Sequence, residues 1–135
     1  VDRGQENALS TAVDGTIIYD FGRSQLPNKT FIRREGVGIA APVGTPVKAI
    51  EAGTVQLAGT LGTYGPSIAI AHGGNFYTVY LYLSHIDVKL GARVAKGAQI
   101  ALSGGANSDE GPHVEFQIRQ GTITLDPINW LKNRR

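Results

Sequence analysis

Residues 111–119, GPHVEFQIR, alternate between apolar and polar side chains in a way that decides the class of structure. Side chains two positions apart point to the same face of a β-strand, so one face of this segment is apolar and the other carries hydrogen-bonding groups. The two faces consist, respectively, of Val114, Phe116 and Ile118, and of His113, Glu115, Gln117 and Arg119. An antiparallel sheet with one solvated face explains this pattern, and so does a groove whose floor is this polar row.

The composition of the 135-residue chain favours one domain of short strands joined by turns. It contains 18 Gly and 6 Pro, with 41% hydrophobic and 18% charged residues, which is typical of an all-β domain. The net charge of +2 is too small to favour nucleic acid. The sequence contains no Cys for a disulfide, no apolar run long enough for membrane insertion and no signal peptide, so we expect a mature fragment or excised domain.

Strands are predicted along most of the chain. Residues 1–14 lack a strand pattern, and we expect a mobile lead-in there, followed by one domain over residues 15–135. A first strand is predicted at residues 16–21 and a loop at 22–30. Further strands are predicted at about 37–41, 46–50, 54–59, 67–72 and 76–83. A helical turn is predicted just after Asp126-Pro127.

The segment FYTVYLYL at residues 76–83 also alternates strictly. Its aliphatic side, which includes Val79 and Leu81, is expected to face the core. This leaves Tyr80 and Tyr82 on the side of the polar row. Tyr82 is expected to lie in the groove, or to be a tyrosine packed against its neighbours with only its hydroxyl exposed. Both descriptions can hold at once.

Six sequence blocks in order resemble the LytM-type (M23) peptidase family, over about Gly15 to Trp130. The blocks are GVGIAAPVGTPV at residues 36–47, GTV at 53–55, YG at 64–65, IAHG at 70–73, YLYLS at 80–84 and GPH at 111–113. The resemblance implies an all-β antiparallel fold with a central groove and few short helices. It also implies a cell-wall function, since the zinc enzymes of this family cut peptide bonds in bacterial cell-wall cross-links.

The resemblance shows which functional residues this chain has replaced. The family holds zinc with a His and an Asp four residues apart and with the second His of a His-x-His strand. These positions are Arg34, Gly38 and Glu115 here. A further family His, a general base or oxyanion-stabilising group, corresponds to Tyr82, and only His113 keeps the family residue.

These replacements argue against zinc. A catalytic zinc site usually takes three protein ligands, each deprotonated. Gly38 has no side chain, and Arg34 is a permanent cation that repels Zn²⁺. Because His113 and Glu115 would leave only two ligands, we expect no metal, no cofactor and no catalytic residues.

LytM domains without zinc ligands include the EnvC and NlpD types, which bind cell-wall amidases and activate them during daughter-cell separation. This chain resembles that degenerate group, and the EnvC type most closely. The resemblance implies a periplasmic, non-catalytic activator of an N-acetylmuramoyl-L-alanine amidase, whose regulatory helix docks in the emptied groove.

The expected docking groove combines charged residues that orient the helix with tyrosines that anchor it. Its residues are Arg34, Glu35, Gly38, Tyr64, Tyr82, His113, Glu115 and Arg119. Glu115 and Arg119 lie about 13 Å apart along a strand, too far to pair directly, so we expect both to be available to a partner.

Other functions remain open. The groove is also compatible with a peptidoglycan-binding module, with an active zinc endopeptidase that uses replacement ligands, and with a purely structural domain. The Gly-x-x-Val-x-x-Gly run around Val94 is similar to lipoyl-type carrier domains, but residues 103–111 offer no Lys for modification. His72, next to Gly73-Gly74, is interpreted as a structural turn residue, and His85 as an exposed one.

Overall fold

Strands dominate the structure, a computed structural model that describes residues 12–133, without the side chains of Ser24 and of 131–133. The strands of this part are β1 (Thr16–Tyr19), β2 (Gly22–Gln25), β3 (Phe31–Arg34), β4 (Val37–Ala40), β5 (Pro46–Lys48), β6 (Gly53–Thr60), β7 (Pro66–Gly73), β8 (Phe76–Leu81), β9 (Leu83–Ile86), β10 (Arg93–Val94), β11 (Gln99–Ser103), β12 (His113–Gln120) and β13 (Ile123–Leu125). A 3-10 turn lies at Gly62–Tyr64, and helix α1 spans Pro127–Asn133.

Strand β12, which contains the alternating segment, lies near the middle of an eight-stranded sheet. The strand order is β1-β4-β12-β8-β7-β6-β10, with β13 pairing with β12. A second sheet has the order β5-β11-β9, and β2 and β3 form a separate pair. These pairings are antiparallel, which confirms the predicted all-β class.

The core lies on the apolar face of β12. Phe116 is 1% exposed and packs against the buried ring of Tyr80, with 5.4 Å between ring centroids. Ala12 and Val13, which were predicted to lie in the mobile lead-in, are also buried, and Val13 forms a bridge to Val47. The packed domain therefore begins before residue 15, while residues 1–11 of the lead-in lie outside the described part.

The register of β8 shows that the face predicted for its side chains was wrong. Phe116 pairs with Tyr80, and Glu115 pairs with Leu81. Directly opposite residues share a face of the sheet, so Tyr80 points into the core and Leu81 lies beside the polar row. Tyr80 can be buried because its hydroxyl accepts hydrogen bonds from the Ile50 amide at 3.1 Å and the Thr78 hydroxyl at 3.0 Å.

Tyr82 interrupts the strand that was predicted to run to residue 83. Its φ of +64° separates β8 from β9, and residues with a side chain rarely adopt this left-handed conformation. The reversal places Tyr82 on the same side as Leu81, although the two are adjacent in sequence. Tyr82 therefore reaches the polar row, as predicted, by a backbone reversal and not by alternation.

Two segments outside the main sheet differ in how well the sequence predicted them. The loop predicted at residues 22–30 contains β2 and is closed by β3, so the segment is a β-hairpin. The helical turn predicted after Asp126 is confirmed as α1, and the Asp126 carboxylate caps it by accepting the Ile128 amide at 3.0 Å. Neither α1 nor any other helix in residues 12–133 has the length and apolar character needed to cross a membrane.

The burial of Tyr80 predicts that stability falls in alkaline solution. Burial raises the pKa of Tyr80 to about 12, from an ordinary value of about 10. The unfolded chain releases this proton first, so the folded state holds more protons and stability decreases as pH rises above 10. We expect a loss of about 2 kcal/mol by pH 12 from this group. Urea unfolding at pH 9 to 12 measures it, and Tyr80→Phe should flatten the decline; an unchanged decline would contradict the assignment.

Candidate functional site

The site is built where β1, β4 and β12 lie side by side. Gly38 on β4 pairs with Glu115 on one side and with Tyr19 on the other. The Tyr19 ring lies over Gly38, and a Cβ atom at that position would overlap the ring. Gly38 is therefore required by the neighbouring tyrosine, and the carboxylate that the resemblance places there has no room.

The Tyr19 hydroxyl joins His113, which keeps the family residue, to Glu115, which replaces a family ligand. It donates to Glu115 Oε1 at 2.8 Å and lies 3.0 Å from His113 Nε2. Burial raises the pKa of Tyr19 far above its usual range, and the Glu115 carboxylate raises it further, so the phenol stays neutral. A tyrosine thus occupies the space between a former ligand position and the retained histidine.

Tyr19 is the functional residue that sequence reasoning missed. Within residues 16–21 it reads only as one aromatic side chain of a strand, and its partners His113 and Glu115 are more than ninety positions away in sequence. Gly38 was the available signal, since a glycine in a strand often marks close approach by another group. The sequence does not indicate which group approaches.

The polar row of β12 forms a continuous chain of hydrogen bonds. Gln117 Nε2 donates to the second Glu115 oxygen at 2.7 Å, and Arg119 Nε donates to Gln117 Oε1 at 3.1 Å. Glu115 is only 6% exposed. The expectation that Glu115 and Arg119 are both available to a partner is therefore wrong for Glu115, because Gln117 connects them; Arg119 is half-buried at the open end.

His113 is buried and engaged at both ring nitrogens. Its Nδ1 lies 2.7 Å from the Gly111 carbonyl oxygen and 3.2 Å from Ser108 Oγ, while Nε2 contacts Tyr19. Because a carbonyl can only accept, Nδ1 carries a hydrogen. The Tyr82 ring lies against the imidazole with 4.5 Å between centroids, so the predicted proximity of Tyr82 and His113 is observed.

Arg34 covers Tyr19. Its guanidinium carbon lies 4.0 Å from the centre of the Tyr19 ring, and its Nη1 pairs with Glu110 at 3.1 Å. The pair ties strand β3 to the 105–111 loop above the site. Arg34 Nε is buried, with no hydrogen-bond partner among the described residues. Arg34 was expected to pair with an incoming helix, but its charge is already paired within the chain.

Glu35 is also engaged within the chain. Its Oε2 accepts a hydrogen bond from the Thr124 hydroxyl, and its Oε1 lies 3.5 Å from Arg33 Nε. The Thr124 hydrogen bond is the main reason that the pKa of Glu35 is lowered, with a smaller contribution from Arg33. Of the expected charged groove residues, Arg34 and Glu35 are in ion pairs within the described part of the chain, whereas Arg119 is not.

Two clefts flank the half-buried tyrosines Tyr64 and Tyr82. Tyr64 and Tyr82 meet edge to face, with 5.4 Å between centroids, and burial raises the pKa of both. One cleft of about 240 Å³ is largely apolar, and its lining consists of Leu57, Leu61, Tyr64, Ala69, Val79, Leu81, Gln117 and Arg119. The other, of about 220 Å³, is more polar, and its lining includes Tyr64, Tyr82, Asn107 and Ser108.

The residues at the former ligand positions do not fit zinc. The Tyr19 ring fills the space above Gly38, Arg34 brings a cation, and both Glu115 oxygens already accept hydrogen bonds. Within residues 12–133 no three His, Cys, Asp or Glu side chains are placed to hold a metal ion. Elsewhere, His72 bonds Ala52 and Thr78, and His85 pairs with Asp87 at the surface.

We expect the purified chain to bind no zinc at one ion per molecule and to cut no cell-wall peptide. A chelator-buffered zinc titration followed by metal analysis tests the first point, and incubation with isolated peptidoglycan tests the second. A zinc-loaded M23 peptidase provides the positive control in both assays. One tightly held zinc per chain would contradict the expectation.

Comparisons with known proteins agree with the architecture. The sequence model described as Peptidase family M23 matches residues 33–127. Among solved structures, LytU superposes with a TM-score of 0.77 at 31% identity, over 88% of this chain and 86% of that one.

Curated relatives of similar identity have different functions. The murein hydrolase activator EnvC of Escherichia coli is 34% identical over 119 residues, which cover 88% of this chain and 28% of that protein. The peptidoglycan DD-endopeptidase ShyA of Vibrio cholerae is 32% identical over 114 residues, which cover 84% of this chain and 26% of that protein. The chain therefore spans between a quarter and a third of the length of these relatives, and overall similarity does not choose between an activator and an enzyme.

Proposed function

This chain belongs to peptidase family M23, and from that membership we propose that it is a non-catalytic domain that binds and activates a periplasmic N-acetylmuramoyl-L-alanine amidase. The activated amidase would hydrolyse peptidoglycan during cell division. The observation that carries the proposal is the position of Tyr19, whose ring and hydroxyl fill the former metal site between Gly38, His113 and Glu115. A site closed in this way supports binding and not hydrolysis.

The apolar cleft beside the polar row is suited to a helix. Leu57, Leu61 and Leu81 line it, Tyr64 stands at its side and Arg119 contributes a charge. An amphipathic helix binds such a groove with its apolar face, while one charged contact sets its orientation. The EnvC relative carries the name of a murein hydrolase activator, and a regulatory helix of an amidase is the occupant that we propose.

The floor beneath the helix has a different role from its rim. Glu115, Gln117 and His113 are buried and hydrogen-bonded to one another or to Tyr19. We propose that they keep the floor rigid, and that Tyr64, Tyr82 and Arg119 make the contacts. Because the floor is already ordered before binding, less conformational entropy is lost when the helix binds.

Activation requires a preference for one state of the amidase. If the regulatory helix blocks the amidase in its resting state, a domain that binds the released helix shifts the population towards the open enzyme. Changing the ratio from 1:99 to 99:1 takes about 5.5 kcal/mol of differential binding. Arg119 is expected to supply a substantial part of this energy through a charge-assisted hydrogen bond.

Replacing Arg119 with Ala should weaken amidase binding roughly ten- to a hundredfold. A desolvated charge-assisted contact is worth about 1.5 to 3 kcal/mol, and the loss should appear as both a higher Kd and weaker activation. Purified amidases of the source organism, assayed on dye-labelled peptidoglycan with and without the domain, measure both effects. Thermal melts should show little change.

Arg93→Ala is the matched control for this experiment. Arg93 is exposed on β10 at the far edge of the main sheet, where it donates to the Thr54 hydroxyl. We expect this variant to bind and activate like the wild type. The proposal would be abandoned if the wild-type domain activated none of these amidases. Equal effects of the two substitutions would remove Arg119 from the contact surface.

A peptidoglycan-binding module is the second candidate, and the polar cleft favours it. Its lining combines the aromatic residues Tyr64 and Tyr82 with the polar residues Asn107 and Ser108. This combination suits a sugar or a stem peptide. Co-sedimentation with isolated peptidoglycan, without any amidase present, distinguishes this candidate from the activator.

A further inference from the structure

The β2–β3 hairpin carries two arginines directly opposite each other. Within the described part, β2 and β3 pair only with each other, and the register places Arg23 opposite Arg33. The Cβ atoms of such a pair lie about 5 Å apart, and like charges at this distance destabilise a hairpin. Arg34 follows Arg33 in the strand and points the other way, towards Tyr19. The two opposed arginines therefore lie on the hairpin face that does not cover the former metal site.

Each of the two arginines lies over a phenylalanine from the other side of the hairpin, Phe31 at the start of β3 and Phe21 just before β2. The Arg23 guanidinium carbon lies 3.9 Å from the centre of the Phe31 ring, and that of Arg33 lies 5.4 Å from the centre of the Phe21 ring. Stacking holds a guanidinium in one orientation and leaves its N–H edge available for hydrogen bonds. We call this surface of Phe21, Arg23, Phe31 and Arg33 the arginine face.

The arginine face has an excess of positive charge. Residues 21–34 contain Arg23, Lys29, Arg33 and Arg34 and no Asp or Glu, whereas the whole chain has a net charge of only +2. Glu35 lies 3.5 Å from Arg33, but that arginine is still 59% exposed. Arg23 is exposed and forms no ion pair within residues 12–133. The hairpin thus keeps an unfavourable charge pair that a partner of opposite charge would neutralise.

We propose that the arginine face is a docking surface for an acidic peptide segment of a partner protein. Carboxylates accept two parallel hydrogen bonds from a guanidinium, so two neighbouring Asp or Glu side chains match the two arginines. Arginine and aromatic residues are also the types that dominate energetically important protein contacts. This surface lies apart from the groove of the proposed function, and its function does not depend on amidase activation.

A lipid surface fits the arginine face less well. Recognition of anionic lipids typically uses clusters of about four to eight Lys or Arg, and Arg34 is already paired with Glu110. The remaining cations of the hairpin are Arg23, Lys29 and Arg33. Phe31 is 54% exposed, but one face of its ring is covered by Arg23. We therefore favour the acidic peptide and retain the lipid as an outcome of the test.

Fluorescence polarisation with a labelled peptide that alternates Glu and Ser tests the proposal on the full 135-residue chain. Alternate positions of an extended peptide lie about 7 Å apart on one face, within reach of two long side chains whose Cβ atoms are about 5 Å apart. The same peptide with Gln in place of Glu is the reference ligand, and vesicles of phosphatidylglycerol and phosphatidylcholine in equal amounts test the lipid surface. The test variant is Arg23→Glu with Arg33→Glu.

The control variant is Lys48→Glu with Lys89→Glu. It makes the same change in net charge at exposed positions on β5 and in the turn after β9. If the test variant melts early, Arg23→Gln with Arg33→Gln replaces it, since this pair removes the charge without adding carboxylates to the hairpin.

We expect the wild type to bind the Glu peptide at least about tenfold more tightly than the Gln peptide, and more weakly as salt rises. The arginine variants should lose this preference, and the lysine control should keep it. Equal binding of the two peptides, or equal losses in the arginine and lysine variants, would overturn the proposal. Vesicle binding that depends on the arginines, without a preference for the Glu peptide, would overturn it in favour of a lipid surface.

Discussion

Replacing Phe116 with Ala should lower the free energy of unfolding by about 3 to 5 kcal/mol, because it removes an aromatic side chain from a close-packed core and leaves a cavity. Phe116 is 1% exposed, sits in the central strand and packs against Tyr80. A small domain has about 5 to 15 kcal/mol of stability in total, so the variant would lose a large part of it. Urea unfolding at neutral pH provides the measurement.

Ile123→Ala is the matched control for the Phe116 substitution. Ile123 is a large apolar residue in β13, but 66% of its side chain is exposed. Substitutions at such positions usually change stability by no more than about 0.5 kcal/mol. If both variants lost the same amount, the polar and apolar faces of β12 would have to be reassigned.

Replacing Tyr19 with Ala should cost about 3 to 5 kcal/mol of stability, since it removes a packed ring and also the hydroxyl partner of Glu115. Tyr19→Phe separates the two contributions. Losing only the charge-assisted hydrogen bond should cost about 1.5 to 3 kcal/mol. A Tyr19→Phe variant as stable as the wild type would show that the hydroxyl does not hold the site together.

The Tyr19 substitution also decides whether zinc binding can be rebuilt. A variant with Arg34→His, Gly38→Asp and Glu115→His supplies the family ligands, but any side chain at position 38 overlaps the Tyr19 ring. We expect this triple variant to take up zinc only when Tyr19→Ala is added. Isothermal titration of both variants tests this, and zinc uptake by the triple variant alone would show that Tyr19 moves aside easily.

The fold was largely predictable because its signals are local. The alternation in residues 111–119 correctly separated the core residue Phe116 from the polar row, and turn residues marked most strand ends. The orientation of β8 was not predictable in this way. It follows from the register that places Tyr80 opposite Phe116 and Leu81 opposite Glu115. Tyr82, just after β8, reaches the polar row through a positive φ that no local sequence pattern indicates.

The site was only partly predictable because its contacts are distant in sequence. The resemblance identified the replaced positions Arg34, Gly38 and Glu115, and the structure brings all three around Tyr19. It could not show that Arg34 pairs with Glu110, since the two are 76 residues apart. Properties that depend on such pairs, including which charges remain available to a partner, required the three-dimensional arrangement.

The Tyr19 hydroxyl makes the shape of this site independent of the supply of metal. A metal that cross-links a site is present only when the surroundings supply it, and its occupancy falls with the free metal concentration. Tyr19 belongs to the same polypeptide as Glu115 and His113, so this cross-link is inherited with every copy of the chain. Depletion of zinc would therefore leave the shape of this surface unchanged.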